Sequence, residues 1–148
     1  MLRFFLFASS IFSLVADRVL VLVPGFGFNP RRTDIVIRSL KNIISSDVPY
    51  FCVVFSYENN LDKVNKNRGT PQEHRNFIHE TCEVIDYLYA NYAAFMKSVP
   101  VIFLRQSGYS HVFVLLDDVE LHSFDLKEIL DIMTRNELSM ISPLVGII

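Results

Sequence analysis

Three carboxylates fall within four positions, Asp117-Asp118-Val119-Glu120, directly after the apolar run His111-Val112-Phe113-Val114-Leu115-Leu116. Negative charges this close repel one another and raise each other's pKa. A divalent cation with oxygen ligands relieves that repulsion. The chemistry these residues could carry is therefore that of a divalent cation with oxygen ligands in a metal–phosphate site. The competing role is structural, because acids at a strand end also serve the N-terminus of the next helix. His122 stands beside the cluster as a ligand candidate but reads as a surface histidine. His74, His79 and His111 have no metal-ligand spacing between them. Arg31 and Arg32 could meet a diphosphate or form ordinary loop salt bridges.

Positioning such a cluster requires a strand that ends in it. The Val- and Phe-rich run before Asp117 reads as a strand buried on both faces of a sheet. The carboxyl edge of an α/β sheet is where ligands bind. Val19-Leu20-Val21-Leu22-Val23 reads as a first buried strand, stopped by Pro24-Gly25, with residues 25–30 as a loop. Thr33 or Asp34 caps a helix whose Val36, Ile37, Leu40, Ile43 and Ile44 recur at helical spacing, with Arg38, Lys41 and Asn42 on the other side. Tyr50 to Tyr57 is a second strand, followed by a polar surface loop from Leu61 to Gly69.

Thr70-Pro71-Gln72-Glu73 predicts a capping box opening a long helix, with Ile78, Cys82, Ile85, Tyr89, Tyr92 and Met96 as its core stripe. Pro100 begins a short helical segment over Val101 to Ser107, closed by Gly108. Asp125 caps a further helix carrying Ile129, Leu130, Ile132 and Met133, closed by Arg135-Asn136. Leu138 to Ser142 is a last strand. Alternating strands and helices predict an α/β fold, a mostly parallel sheet with helices on both faces.

The 148 residues fit one modest domain, and a net charge of −2 with no basic block argues against a nucleic-acid partner. Residues 1–16 have a basic start, an uncharged apolar run and a small residue, Ala16, before Asp17. They read as a secretory signal peptide, with a marginal uncleaved membrane anchor as the second choice. Residues 17–148 are then the folded domain, destined for the secretory pathway (the ER or Golgi lumen) or for secretion. Cys52 and Cys82 could be oxidised in that compartment. Two buried free thiols are the preferred reading, because buried Cys behaves as a small hydrophobe. The apolar ending Leu144-Val145-Gly146-Ile147-Ile148 predicts the N-terminal half of a larger, truncated domain.

With these elements in place the chain resembles GT-A-type glycosyltransferases, whose nucleotide-sugar site is marked by a strand ending in Asp-x-Asp. Asp118-Val119-Glu120 is an Asp-x-Glu variant of that motif. More narrowly, Tyr109-Ser110-His111-Val112-Phe113-Val114-Leu115-Leu116-Asp117-Asp118, then Ser123-Phe124-Asp125, then Ser142-Pro143 are similar to a glycosyltransferase-like group of unknown function. That group has the pattern Y-D-Y-I-F-L-x-D-E-D, then F-D, a helix and a final I-S-x-P. The resemblance covers most of residues 19–145. It implies that Asp117, Asp118 and Glu120 hold Mn²⁺ or Mg²⁺ and, through it, the diphosphate of a nucleotide-sugar donor. The metal would neutralise the leaving nucleoside diphosphate. It also implies that Tyr57 and Glu58 contact base or ribose, and that Gly25 and Gly27 let backbone approach the nucleotide. The acceptor, an unidentified glycan, protein or lipid, and the catalytic base would be served by sequence beyond Ile148.

Two other readings stay open. A non-catalytic remnant would keep the sheet and bind a nucleotide without transfer. An α/β-hydrolase is the lesser rival: Val21 to Gly27 resembles a first strand and oxyanion loop, and Gly108-Tyr109-Ser110-His111-Val112 half-matches the G-x-S-x-G elbow. In that elbow a strand precedes the serine, whereas here the strand follows it.

Overall fold

The structure is a computed structural model that describes residues 18–27, 30–56, 70–86, 97, 108–121 and 124–138. Strand β1, Val19–Phe26, is buried at every position. An unbroken apolar run without polar alternation suits a strand covered on both faces. The strand extends three residues past its expected stop at Val23. Its register against the next strand is irregular between Val23 and Phe26. Such a bulge accommodates Pro24, which cannot donate to a ladder.

Helix α1, Pro30–Ile44, starts earlier than the expected cap at Thr33 or Asp34. Proline tolerates the first helical turn because its missing N–H would have no partner there. Thr33 thus lies inside the helix and is buried. Strand β2 is Tyr50–Ser56. Helix α2 is only Gln72–Thr81, and Pro71 takes the N-cap position without a side-chain cap bond, so Thr70 does not form the expected capping box.

The long helix expected through Met96 ends at Thr81. Cys82 turns extended, and Glu83–Asp86 forms strand β3. Ile78, Cys82 and Ile85 fit a helical stripe by spacing. The β-branched pair Val84-Ile85 also fits a strand, and pairing with β2 decides between them. Strand β4, His111–Val114, and helix α3, Leu126–Arg135, complete the described elements.

The four strands lie in the order β3-β2-β1-β4, with every pair parallel. The expected α/β fold with a parallel sheet is present. Val19, Val21 and Val23 face Val36, Leu40 and Ile43 of α1, Ile78 of α2, and Leu126 and Leu130 of α3. All three described helices therefore share one face. Leu20, Leu22, Val53 and Phe55 form a second buried cluster on the other face, with Phe51, Ile85 and Tyr109 against it. The expectation of helices on that face falls outside the described residues. Each buried Leu, Val, Ile or Phe stabilises the fold by about 1.5–3 kcal/mol relative to exposure.

Two corrections concern β4 and the cysteines. β4 is not buried on both faces: Val112, Val114 and Leu116 are about 40 % exposed, and Phe113 and Leu115 turn inward. Cys52 and Cys82 are not free thiols but a disulfide. Val53 pairs with Glu83, which sets Cys52 opposite Cys82 across adjacent strands, with their Cα atoms 4.5 Å apart. The expected signal peptide, the expected 101–107 helical segment, Tyr89, Tyr92 and Met96, the strand expected beyond Leu138 and the apolar ending lie outside the described residues. Among the described residues, no helix is long and apolar enough to cross a membrane.

Candidate functional site

Because all four strands are parallel, their carboxyl ends share one edge. The chain steps from β1 to β2 to β3 in one direction, while β4 lies on the other side of β1. The strand order thus reverses at β1, and ligands of open α/β sheets bind beyond the carboxyl ends at such a switch point. Leu22 is opposite Val114, and the Leu115 N–H donates to the Leu22 carbonyl at 2.9 Å. Immediately beyond come Gly25 to Gly27 on one strand and the turn at Asp117-Asp118 on the other. Gly27 has φ of 87°, a left-handed conformation that favours glycine. Tyr57 and Glu58 follow the last residue of β2 but lie outside the described residues, as do His122 and Ser123.

The acidic turn is gripped along its length by α1. An Arg32 Nη1–H donates to Asp117 Oδ2 at 3.3 Å and lies 3.5 Å from Oδ1. Arg38 bridges Asp34, at 3.0 Å, and Glu120. The Ser39 hydroxyl, fully buried, accepts from the Leu121 N–H at 3.4 Å. The Asn42 amide donates to the Leu121 carbonyl at 2.8 Å. Arg32, Ser39 and Asn42 are spaced by seven and three residues, close to whole helical turns, so one side of α1 meets the whole turn. Asp118 is exposed and carries no ion pair among the described residues.

Burial pushes the Asp117 carboxyl above its usual range; the Arg32 guanidinium opposes that rise and Asp118 adds to it. Mutual repulsion is thus a minor part of the effect and burial the largest. Downstream, Asp125 caps α3 as expected, its Oδ1 accepting from the N–H groups of Lys127 at 2.9 Å and Glu128 at 3.2 Å. Phe124 packs its ring on Phe113, which ties the start of α3 to β4. Glu137 adopts a left-handed φ of 53° after the helix, and the Leu138 N–H returns to the Met133 carbonyl at 2.9 Å.

The predicted residues therefore come together in part. Gly25, Gly27, Asp117, Asp118 and Glu120 share one edge. Arg32 joins them through Asp117, in the salt-bridge role weighed for it but from within a helix. Arg31 is exposed and is not in an ion pair among the described residues. Sequence reasoning missed Arg38, Ser39 and Asn42. Their polar side chains border the apolar stripe of α1 at helical spacing, a signal that becomes legible only once the acidic turn is known to lie against them.

A divalent cation requires several oxygens converging at about 2.0–2.6 Å. Among the described residues no three His, Cys, Asp or Glu side chains are gathered to hold one. Asp117 and Glu120 are each turned to a guanidinium.

Ser110 lies before β4, at the opposite edge from the acidic turn. It accepts from the Arg18 N–H at 3.2 Å, while its hydroxyl reaches the Arg18 carbonyl at 3.3 Å and His111 Nδ1 at 2.9 Å. Here the strand follows the serine, so the strand–serine–helix order of the hydrolase elbow is not present. The chain matches no protein-family model, no curated protein and no solved structure.

Proposed function

We propose that the carboxyl edge of β1 and β4 binds the diphosphate of a nucleotide sugar, in the manner of GT-A-type glycosyltransferases. The observation that carries this reading is the strand order β3-β2-β1-β4 in an all-parallel sheet. It makes the β1–β4 boundary the switch point and brings Gly25 to Gly27 and the acidic turn to it. In this reading the backbone at Gly25 and Gly27 approaches the phosphates, Tyr57 and Glu58 meet base or ribose at the end of β2, and Asp117 and Asp118 border the diphosphate. Arg32, in the first turn of α1, supplies positive charge beside it. The acceptor is a glycan, protein or lipid, and this chain's described residues offer no assigned base to activate it. The reading places the protein in the secretory pathway, and the Cys52–Cys82 disulfide fits an oxidising compartment.

Binding without transfer is the second reading. It is favoured by the engagement of Asp117 and Glu120 with arginines, which gives these acids a structural task. Isothermal titration of UDP and GDP against the protein, with and without Mn²⁺ and with Asp118→Ala beside it, tests the donor site. Saturable binding of either nucleotide supports it, the variant reports whether the Asp118 carboxylate contributes, and no heat with either nucleotide under any condition refutes it. Release of free sugar or glycosylated product from a UDP-sugar separates transfer from binding alone.

A further inference from the structure

We infer that Arg32 and Arg38 take the charge-balancing place of a divalent cation at the acidic turn, so that ligand binding at this edge needs no metal. The inference deepens the proposed nucleotide site and, for its ligand, rests on that reading. Its metal-free part rests on the clamp alone.

The clamp is built from both ends of the turn. At the start, the Arg32 guanidinium lies 3.3 Å and 3.5 Å from the two Asp117 oxygens. Near the end, Arg38 holds Glu120, and Ser39 and Asn42 take both backbone polar groups of Leu121. The path of the turn is thereby fixed by α1 without any ion. Two guanidiniums serve three carboxylates, Asp34, Asp117 and Glu120, with Arg38 shared between Asp34 and Glu120.

Arginine suits this duty because it is always charged, weakly hydrated and forked to match a carboxylate. The same fork matches a phosphate. Asp117 is mostly buried, whereas Arg32 is 40 % exposed and belongs to the first turn of α1. An arriving diphosphate would therefore meet Arg32 from solvent and compete with Asp117 for it. Such competition needs no cation bridge between the phosphates and the acids. A cation seeking Asp117 and Glu120 would have to displace both arginines.

The test reads Mn²⁺ directly, from loss of the free-ion paramagnetic signal as the full chain is added. Unmodified protein is expected to leave the signal unchanged. Arg32→Gln with Arg38→Gln is expected to bind Mn²⁺ at least about tenfold more tightly, the scale set by removing an opposite charge beside a carboxylate. If the double variant does not fold, Arg32→Gln alone is read in the same way. Saturable Mn²⁺ binding by the unmodified protein that is lost in Asp118→Ala overturns the inference. So does a folded arginine variant that gains no Mn²⁺ affinity. UDP binding that survives a chelator supports the inference, and UDP binding that requires Mn²⁺ overturns it. If UDP fails to bind in every condition the nucleotide reading falls, and the Mn²⁺ titration still decides the clamp.

Discussion

The two flanks of the sheet are fastened by different physics. On one side, β3 and α2 offer little burial: Ile78 is the one fully buried residue of α2, and the ends of β3, Glu83 and Asp86, are exposed. A covalent bond, Cys52–Cys82, ties this flank to β2. On the other side, β4 and its acidic turn are held by ion pairs and polar bonds to α1, and by Leu115, Leu121, Leu126 and Leu130 in the main core. A covalent tie resists pH and salt but yields to reductant. An ionic clamp yields to charge, which is what a ligand-binding edge requires. The flank with the functional candidates is thus the one whose fastening can respond to a charged ligand.

The largest expected effect strikes the covalent flank. Replacing both cysteines, Cys52→Ala with Cys82→Ala, is expected to lower unfolding free energy by about 3–4 kcal/mol, the range for a closed loop of this length. Urea denaturation measures it, and amide exchange should quicken first in residues 70–86 rather than in β4. A loss confined to a few tenths of a kcal/mol would mean that packing, not the bond, fastens this side.

A smaller loss is expected on the ionic flank from Asp125→Ala. It removes the acceptor for two α3 N–H groups and should cost about 1 kcal/mol in the same measurement. Exchange should then quicken in α3 while α2 and β3 are unaffected. Uniform quickening in both flanks would erase the distinction between them.

The smallest effect is a pH dependence. The folded Asp117 carboxyl has its pKa raised, mainly by burial. Its stabilising contribution is therefore fully present below the ordinary value of 3.8 and is lost as pH rises through the raised folded value. Asp117→Asn removes that step. Unmodified protein should gain stability relative to the variant as pH falls through this window. Thermal melting across the acid range checks the sign, and a difference that moves the opposite way would mean that Arg32 outweighs burial at this carboxyl.

Much of the positioning frame was legible in the sequence. Val19 to Val23 and Tyr50 to Phe55 are uninterrupted apolar runs, and Asp125 followed by Glu128 marks the start of α3; these signals are local. The failures had non-local causes. Helix α2 stops at Thr81 because β2 recruits Glu83–Asp86 as a strand, and helical spacing cannot register that pairing. The run from Val112 to Leu116 is apolar throughout, so nothing in it announces that Val112, Val114 and Leu116 are exposed. Cys52 and Cys82 are 30 residues apart and become neighbours only through the β2–β3 register. In the site, Asp117, Asp118 and Glu120 stood out by charge density. Arg38, Ser39 and Asn42 did not, because their partners lie about 80 residues away in sequence.

Whether the β1–β4 switch point holds a nucleotide diphosphate is decided by mapping amide exchange with and without saturating UDP. Slowed exchange is expected in two places, the end of β1 through the first turn of α1 and the acidic turn from Leu115 to Leu121, with α2 and β3 unchanged. Protection at any other surface, or none at all, would contradict a nucleotide site there.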